Sequence, residues 1–229
     1  MLSWAAIIGA TIAVWASYSG TSMFAQTVSV VAALFAWRHP RASLAATAIV
    51  FAMTFLSVFA FGDIAGRVLP GSLVKALAWT HAADRLEIWQ SYGAAMLLHP
   101  LLGSGFGTSV TLGDSVVASQ VASEFRRMLA VGHPHNGFLQ IGVELGMLGC
   151  LIALAILLML LRSWVDLKGA ALWSRIGLLT LVAAIMLVGH GAWQAWWIAA
   201  VFTGAALTRT FVPASNEKAN PQIDSAVSS

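Results

Sequence analysis

The sequence predicts an all-α fold: a polytopic membrane bundle of about six transmembrane helices, with a large external loop that carries amphipathic helices. Three observations predict it. Of the 229 residues, 59% are hydrophobic and only 9% are charged, whereas about a quarter of the residues of a soluble domain are charged. The mean hydropathy is +0.83. Ten tryptophans suit the two membrane–water boundaries, where indole rings are enriched.

A transmembrane helix needs about 20 mostly apolar residues. Six segments approach this requirement, at 3–17, 21–37, 43–62, 137–161, 172–190 and 192–208. The first segment is interpreted as a span because no basic region precedes it, as one would in a signal peptide. The chain therefore divides into three N-terminal helices (1–62), a segment at 63–136, three C-terminal helices (137–208) and a tail (209–229) that is disordered from residue 213.

The basic residues predict the orientation, because cytoplasmic loops of membrane proteins are enriched in Lys and Arg. Seven of the 12 basic residues lie in two short loops and the tail: Arg38, Arg41, Arg162, Lys168, Arg175, Arg209 and Lys218. Placing these in the cytoplasm puts both termini inside and segment 63–136 outside. In that segment five basic residues are balanced by five acidic residues.

Composition also excludes several classes of protein. A net charge of +3 is too small for a nucleic-acid-binding protein. The single cysteine, Cys150, lies in an apolar run, so neither a disulfide framework nor a cysteine metal site is available.

Segment 63–136 is too long for a passive connection, and its first half predicts a helix over 80–98. Thr80 is the expected cap, Asp84 lies in the first turn and Pro100 follows the end. Four apolar positions share one face, which predicts a helix lying along the membrane interface: Leu86, Trp89, Gly93 and Leu97.

A glycine loop (residues 100–107) follows that helix. Gly103, Gly105 and Gly107 alternate with other residues, which permits a tight turn with exposed N–H groups that could bind an anion. A turn with a purely structural role is the alternative to anion binding, and it is the favoured interpretation.

The segment ends at His133-Pro134-His135-Asn136, directly before the fourth predicted span. Asn136, Gln140 and Glu144 recur every four residues, so they form a polar stripe on one helix face. Ionisable groups at membrane depth are costly, which makes Glu144 a functional candidate. Three glycines on the same helix predict close approach of a neighbouring helix: Gly142, Gly146 and Gly149.

At these residues the chain resembles the O-antigen ligase family, with its related polysaccharide polymerases and exopolysaccharide-production proteins. The family signature is His, then Asn, Ser or Gln, nine residues, Gly, two residues and Gly, Thr or Tyr. His135-Asn136, Gly146 and Gly149 match it. Arg85 with Trp89, and the glycine loop, resemble two upstream elements of the family in the right order. Two features depart from the family pattern. Family members usually have ten or more spans, so the resemblance is to their C-terminal half. The family also often has a basic residue in an external turn before a span, and Ser19-Gly20-Thr21 lacks one.

The resemblance implies glycosyl transfer from undecaprenyl diphosphate to a hydroxyl of a lipid or glycan, at the periplasmic face of the bacterial inner membrane. Arg85 is the first candidate for stabilising the leaving diphosphate, since guanidinium pairs with phosphate oxygens and can replace a metal. Arg126 and Arg127 are second candidates, a solvated surface pair being their alternative. The N–H groups of Gly103, Gly105 and Gly107 would add donors.

His135 is the expected general base, because imidazole titrates near neutral pH, and His133 competes for the role. Asn136 and Glu144 are expected at the substrate, Glu144 by orienting a histidine or binding sugar hydroxyls. Direct inverting displacement follows, with no metal, no cofactor and no covalent intermediate. A polymerase acting on the same donor, or a non-catalytic membrane subunit or fragment, are the alternatives. Expected partners are the lipid-linked glycan, the acceptor, the membrane and other polysaccharide-assembly proteins, but no nucleic acid.

Overall fold

The computed structural model describes residues 2–77, 81–189 and 191–210, and this part of the chain is helical without a β-strand. The prediction of an all-α membrane protein is confirmed at this level. Thr80, His190 and the predicted disordered tail lie outside the described residues. The helices are α1 (Leu2–Ala16), α2 (Gly20–Arg38), α3 (Pro40–Leu56), α4 (Phe61–Val68), α5 (Gly71–Ala76), α6 (Ala82–Met96), α7 (Val116–Gln120), α8 (Ser123–Leu129), α9 (Gly137–Ser163), α10 (Gly169–Val188) and α11 (Ala195–Thr210).

Three described helices, α2, α9 and α10, are long and apolar enough to cross a membrane. A fourth candidate is the pair formed by α3 and the helical segment Val58–Val68, which bends by 66°. The predicted third span, 43–62, is therefore not one straight helix, because the α-helix ends at Leu56 and a short 3-10 turn (Val58–Ala60) redirects the chain. α1 and α11, with 15 and 16 residues, are shorter than the usual span, so the count of six stays a prediction.

The apolar helices pack as two pairs. α2 contacts α10 at small residues: Gly177 lies against Ala33, and the Ser29 hydroxyl donates to the Gly177 carbonyl at 2.7 Å. α3 contacts α9 through aromatic rings, with Phe138 edge-on to Phe55 at 5.3 Å between ring centroids. An apolar cavity of about 300 Å³ lies between the pairs, lined by α2, α3, α10 and Phe138.

Segment 63–136 folds around α6. Gly62 and Gly93 let α6 approach the backbone of the preceding turn closely, because a Cβ at either would lie within 2.6 Å of main-chain atoms. On the other side the Tyr92 hydroxyl lies 3.3 Å from the carbonyl oxygens of Ser109 and Leu129. α6 thus packs among α4, α8 and α9, and its location along the membrane interface stays a prediction.

The limits and the apolar face of α6 also differ in part from the prediction. The helix begins after His81 and ends at Met96 rather than Leu98. Trp89 and Gly93 are buried as expected, but Leu97 is exposed. Leu97 lies past the helix end, where the backbone no longer keeps it on the buried face.

Candidate active site

The site is built at the start of α9, where Asn136 caps the helix. Its side-chain oxygen accepts hydrogen bonds from the Phe138 and Leu139 N–H groups, both at 3.0 Å. This is the standard role of an N-cap asparagine, and it places Asn136 at the helix end rather than on the stripe below. Its Nδ2 is buried and has no hydrogen-bond acceptor within the described part of the chain.

His133 and His135 lie together at this helix end. Their ring centroids are 4.0 Å apart, and the His135 N–H donates to Nδ1 of His133 at 3.2 Å. This bond requires a bare Nδ1, so a neutral His133 carries its proton on Nε2. His135 has φ of +49°, a left-handed conformation that costs a non-glycine residue about 1–2 kcal/mol. Both imidazoles are half-buried.

Glu144 lies two helical turns further along α9 and is fully buried, at 0% exposure. Its carboxylate accepts four hydrogen bonds. Oε1 accepts from the Ser109 N–H at 3.3 Å and from Nε2 of Gln140 at 2.9 Å. Oε2 accepts from the Gly107 N–H and from Nε1 of Trp193, both at 2.7 Å. The predicted spacing of Gln140 and Glu144 is confirmed, and the carboxylate binds the protein's own donors.

The glycine loop does adopt the tight turn that was predicted, with φ of +71°, +107° and +75° at Gly103, Gly105 and Gly107. The expectation of exposed N–H donors at these glycines is wrong. Gly103 N–H donates to the His99 carbonyl, Gly105 N–H to the Glu144 carbonyl and Gly107 N–H to the Glu144 carboxylate. The anion bound by this turn is thus the Glu144 carboxylate. Because the N–H groups of the three glycines already donate to protein oxygens, they are not open to a phosphate.

The glycine loop contacts α9 at a break in that helix. Gly146 has φ of +64° and ψ of −165°, which interrupts the helix. The carbonyls of Val143 and Glu144 accept from the N–H groups of Ser104 and Gly105, at 2.8 and 2.9 Å.

The other side of the break is satisfied in the same way. The N–H groups of Met147 and Leu148 donate to the Pro100 and Leu101 carbonyls, at 2.8 and 3.1 Å. Two helical hydrogen bonds, from Met147 to Val143 and from Leu148 to Glu144, are therefore replaced by four bonds to the loop.

The three glycines of α9 thus have different roles. The prediction that Gly146 admits a neighbouring helix is wrong, since a Cβ there would meet the Leu101 carbonyl and the Gly103 nitrogen. Gly142 does contact a helix, through Met96 of α6. A Cβ at Gly149 would meet Leu145 of α9 itself.

Two functional contacts were missed by sequence reasoning. Trp193, one of the tryptophans expected at the membrane–water boundaries, donates to Glu144, and its ring lies 5.0 Å from the Phe106 ring between centroids. Gln140, seen only as part of a polar stripe, accepts from the Ala192 N–H at 2.8 Å. Together they fasten the connection between α10 and α11 to α9. No local pattern at residues 191–193 indicates this pairing, because its partners lie about 50 residues earlier.

The arginines lie in three different environments. Arg85 lies in the first turns of α6 and is half-buried, and burial lowers the pKa of its guanidinium from the ordinary value. Arg126 donates from Nε and Nη2 to the carbonyls of Val121 and Ser119, both at 2.8 Å. Arg127 forms an exposed ion pair with Glu87 at 3.0 Å. Arg126 and Arg127 thus have protein partners, and they are not a paired clamp.

No group of three His, Cys, Asp or Glu side chains within residues 2–77, 81–189 and 191–210 is arranged to hold a metal ion.

Comparison with known proteins agrees with the resemblance seen in the motifs. The chain is 30% identical over 146 residues to a protein of Rickettsia prowazekii named "Putative polysaccharide ligase", covering 60% of this chain and 35% of that protein. Proteins of Rickettsia felis and Rickettsia bellii with the same name match at 30% and 29% identity, with 60% and 61% of this chain and 35% of each relative covered. The chain therefore spans about a third of the length of these relatives. No solved structure matches. The O-antigen ligase family model matches residues 5–163, which include both histidines, Arg85 and the break in α9, and the chain belongs to that family.

Proposed function

We propose that this protein transfers a glycan from undecaprenyl diphosphate to a hydroxyl of a lipid or glycan acceptor, at the periplasmic face of the inner membrane, without a metal and with inversion. The observation that carries the proposal is the left-handed His135 at the start of α9, inside the segment matched by the family model. A strained residue at a helix entrance motivates a functional hypothesis, because surrounding structure must hold it in place.

In the proposed reaction the acceptor oxygen bonds to the sugar C1 while the bond from C1 to the diphosphate oxygen breaks. His135 takes the proton from the acceptor hydroxyl, and the electron pair of the broken bond stays on the diphosphate. Removal of a positioned base typically lowers the rate about 10²–10⁴-fold. His133 is the competing base, and its ring, 4.0 Å from that of His135 between centroids, is close enough to help orient the neighbouring imidazole. The unpaired Nδ2 of Asn136 is a donor for a substrate oxygen.

Arg85 is the proposed partner of the departing diphosphate. A half-buried guanidinium interacts with an anion more strongly than an exposed one, because the effective dielectric constant is lower. A guanidinium keeps its proton in proteins, so the group is available as a cation. Arg126 and Arg127, which bind backbone carbonyls and Glu87 respectively, are secondary candidates.

We also propose a membrane topology, a place for the donor lipid and partner proteins. Six spans result if α1 and α11 cross the membrane beside the stronger candidates, and the basic loops then lie in the cytoplasm. The apolar cavity between the helix pairs supports a polyprenyl donor, because Phe138, which lines it, follows His135 by three residues. Other polysaccharide-assembly proteins are the proposed partners.

The test is complementation of a deletion strain with variants expressed at wild-type level. We expect His135→Ala and Arg85→Ala to abolish glycan attachment, and Arg85→Lys to restore part of it. His99→Ala and Arg67→Ala are matched controls at exposed positions and should attach glycan normally. Full transfer by both site variants would reject the proposal.

The same strain separates a ligase from a polymerase. If long-chain glycan accumulates unattached in the deletion strain, the protein joins finished chains to an acceptor. If the ladder of lengthened chains disappears instead, the protein extends them, and the polymerase alternative replaces the ligase.

A further inference from the structure

We infer that the glycine loop, residues 100–107, is immersed in the bilayer and that its leucines contact lipid acyl chains. Segment 63–136 as a whole was expected outside the membrane. Its charged residues, however, all lie before Ile88 or after Gly113, and the 26 residues between them contain no Asp, Glu, Lys or Arg. Such a stretch has no side-chain charge to oppose entry into hydrocarbon.

The position of the loop along α9 supports this inference. The loop joins α9 at Met147 and Leu148, about ten residues beyond the helix start, which is about 15 Å along the axis. α9 is a candidate span. From the break onward it carries no charged residue until Arg162, so the loop meets the helix where its apolar section begins.

The exposed surface of the loop continues the apolar surface of that section. Leu101 and Leu102 are each 71% exposed, and Phe106 is 68% exposed. The adjoining part of α9 also exposes large apolar side chains, as expected for a surface that faces lipid: Leu148, Leu151, Ile152, Ile156 and Met159. The loop and α9 therefore form one continuous apolar surface, whose natural partner is the hydrocarbon of the membrane.

Part of the loop backbone is already hydrogen-bonded within the protein and does not depend on water. Irregular backbone is tolerated at membrane depth only when its polar groups are satisfied by the protein. The N–H groups of Gly103, Ser104, Gly105 and Gly107 all donate to protein oxygens, and the carbonyls of Pro100 and Leu101 accept from α9. The exchange across the helix break thus lowers the cost of immersing this turn.

The test is spin-label accessibility of the full chain in lipid nanodiscs. Cys150 is the only cysteine, so nitroxides are attached to Leu101→Cys and Leu102→Cys in a Cys150→Ala background. Oxygen concentrates in hydrocarbon, whereas a nickel chelate stays in water. Ile156→Cys on α9 is the lipid-facing reference, and Gln120→Cys, exposed at the end of α7, is the water-facing reference.

We expect the oxygen-to-nickel accessibility ratio at both leucine positions to match Ile156→Cys and to exceed that of Gln120→Cys several-fold. Nickel accessibility equal to Gln120→Cys would overturn the inference, and so would exclusion of both reagents, which would indicate a protein cover. If the Cys150→Ala background folds poorly, the labels are repeated with Cys150 present, since its thiol is buried. The measurement is independent of glycan transfer, so its outcome is separate from that of the proposed function.

Discussion

Replacing Glu144 by glutamine should destabilise the protein severely, although the two side chains have nearly the same shape. Glutamine presents an NH2 group in place of one carboxylate oxygen. Each oxygen of Glu144 accepts two hydrogen bonds, so two donors lose their acceptor whichever way the amide is turned. A buried donor without a partner costs about 1–3 kcal/mol. The expected loss in the free energy of unfolding is therefore about 2–6 kcal/mol.

The measurement is reversible unfolding in mixed micelles, with helix content as the signal. Glu87→Gln is the matched control, because Glu87 forms only an exposed ion pair with Arg127 and such pairs contribute about 0–1 kcal/mol. If Glu144→Gln unfolds with a free energy within about 1 kcal/mol of the wild type, the carboxylate does not organise the loops. The substrate-binding role first expected for Glu144 would then regain support.

Three further comparisons between variants test the same structure. Gly146→Ala should destabilise strongly, because a Cβ would meet the Leu101 carbonyl. Gly107→Ala has open space and should cost only the left-handed penalty of about 1–2 kcal/mol, so equal melting temperatures for the two variants would contradict the close approach. Arg126→Ala removes two hydrogen bonds to backbone carbonyls, and because this side chain is exposed the expected loss is that of an ordinary hydrogen bond, about 0.5–1.5 kcal/mol. Arg127→Ala removes only an exposed ion pair and should cost about 0–1 kcal/mol. A larger loss of unfolding free energy for Arg127→Ala than for Arg126→Ala would refute these assignments. Burial, with a smaller contribution from the Glu144 charge, raises the pKa of Tyr92. Its phenol therefore stabilises the fold below the unfolded pKa of about 10, and that contribution is lost as pH rises beyond it. Melting temperature measured above pH 10 should fall more steeply in the wild type than in Tyr92→Phe, and parallel curves would contradict the shift.

The sequence predicted the parts of the site that depend on local chemistry. Asparagine before an apolar run is a strong helix cap, so the start of α9 at Gly137 was predictable from Asn136. The pairing of Gln140 with Glu144 follows from helical periodicity alone. Glycines at alternate positions indicated a turn, and their positive φ angles are those that only glycine adopts without strain.

The parts that were not predicted depend on contacts between distant segments. The break at Gly146 is invisible in the pattern because apolar residues continue on both sides and a single glycine is tolerated within a helix. What makes the break stable is a loop more than 40 residues earlier, whose carbonyls replace those of the helix. The partner of Trp193 is equally remote. Local propensity cannot report bonds of this kind, so the acceptors of the glycine-loop N–H groups were misassigned.

The broken helix and the proposed chemistry are physically coupled. The part of α9 before the break is only nine residues long, and an isolated helix of that length is marginal. Its capping by Asn136 and its bonds to the glycine loop therefore hold it in place. His135 precedes the capping residue Asn136 of this short helix, so its orientation depends on how firmly the loop holds the helix in place. A loop that contacts lipid would thus link the surrounding bilayer to the histidine through hydrogen bonds of the protein alone.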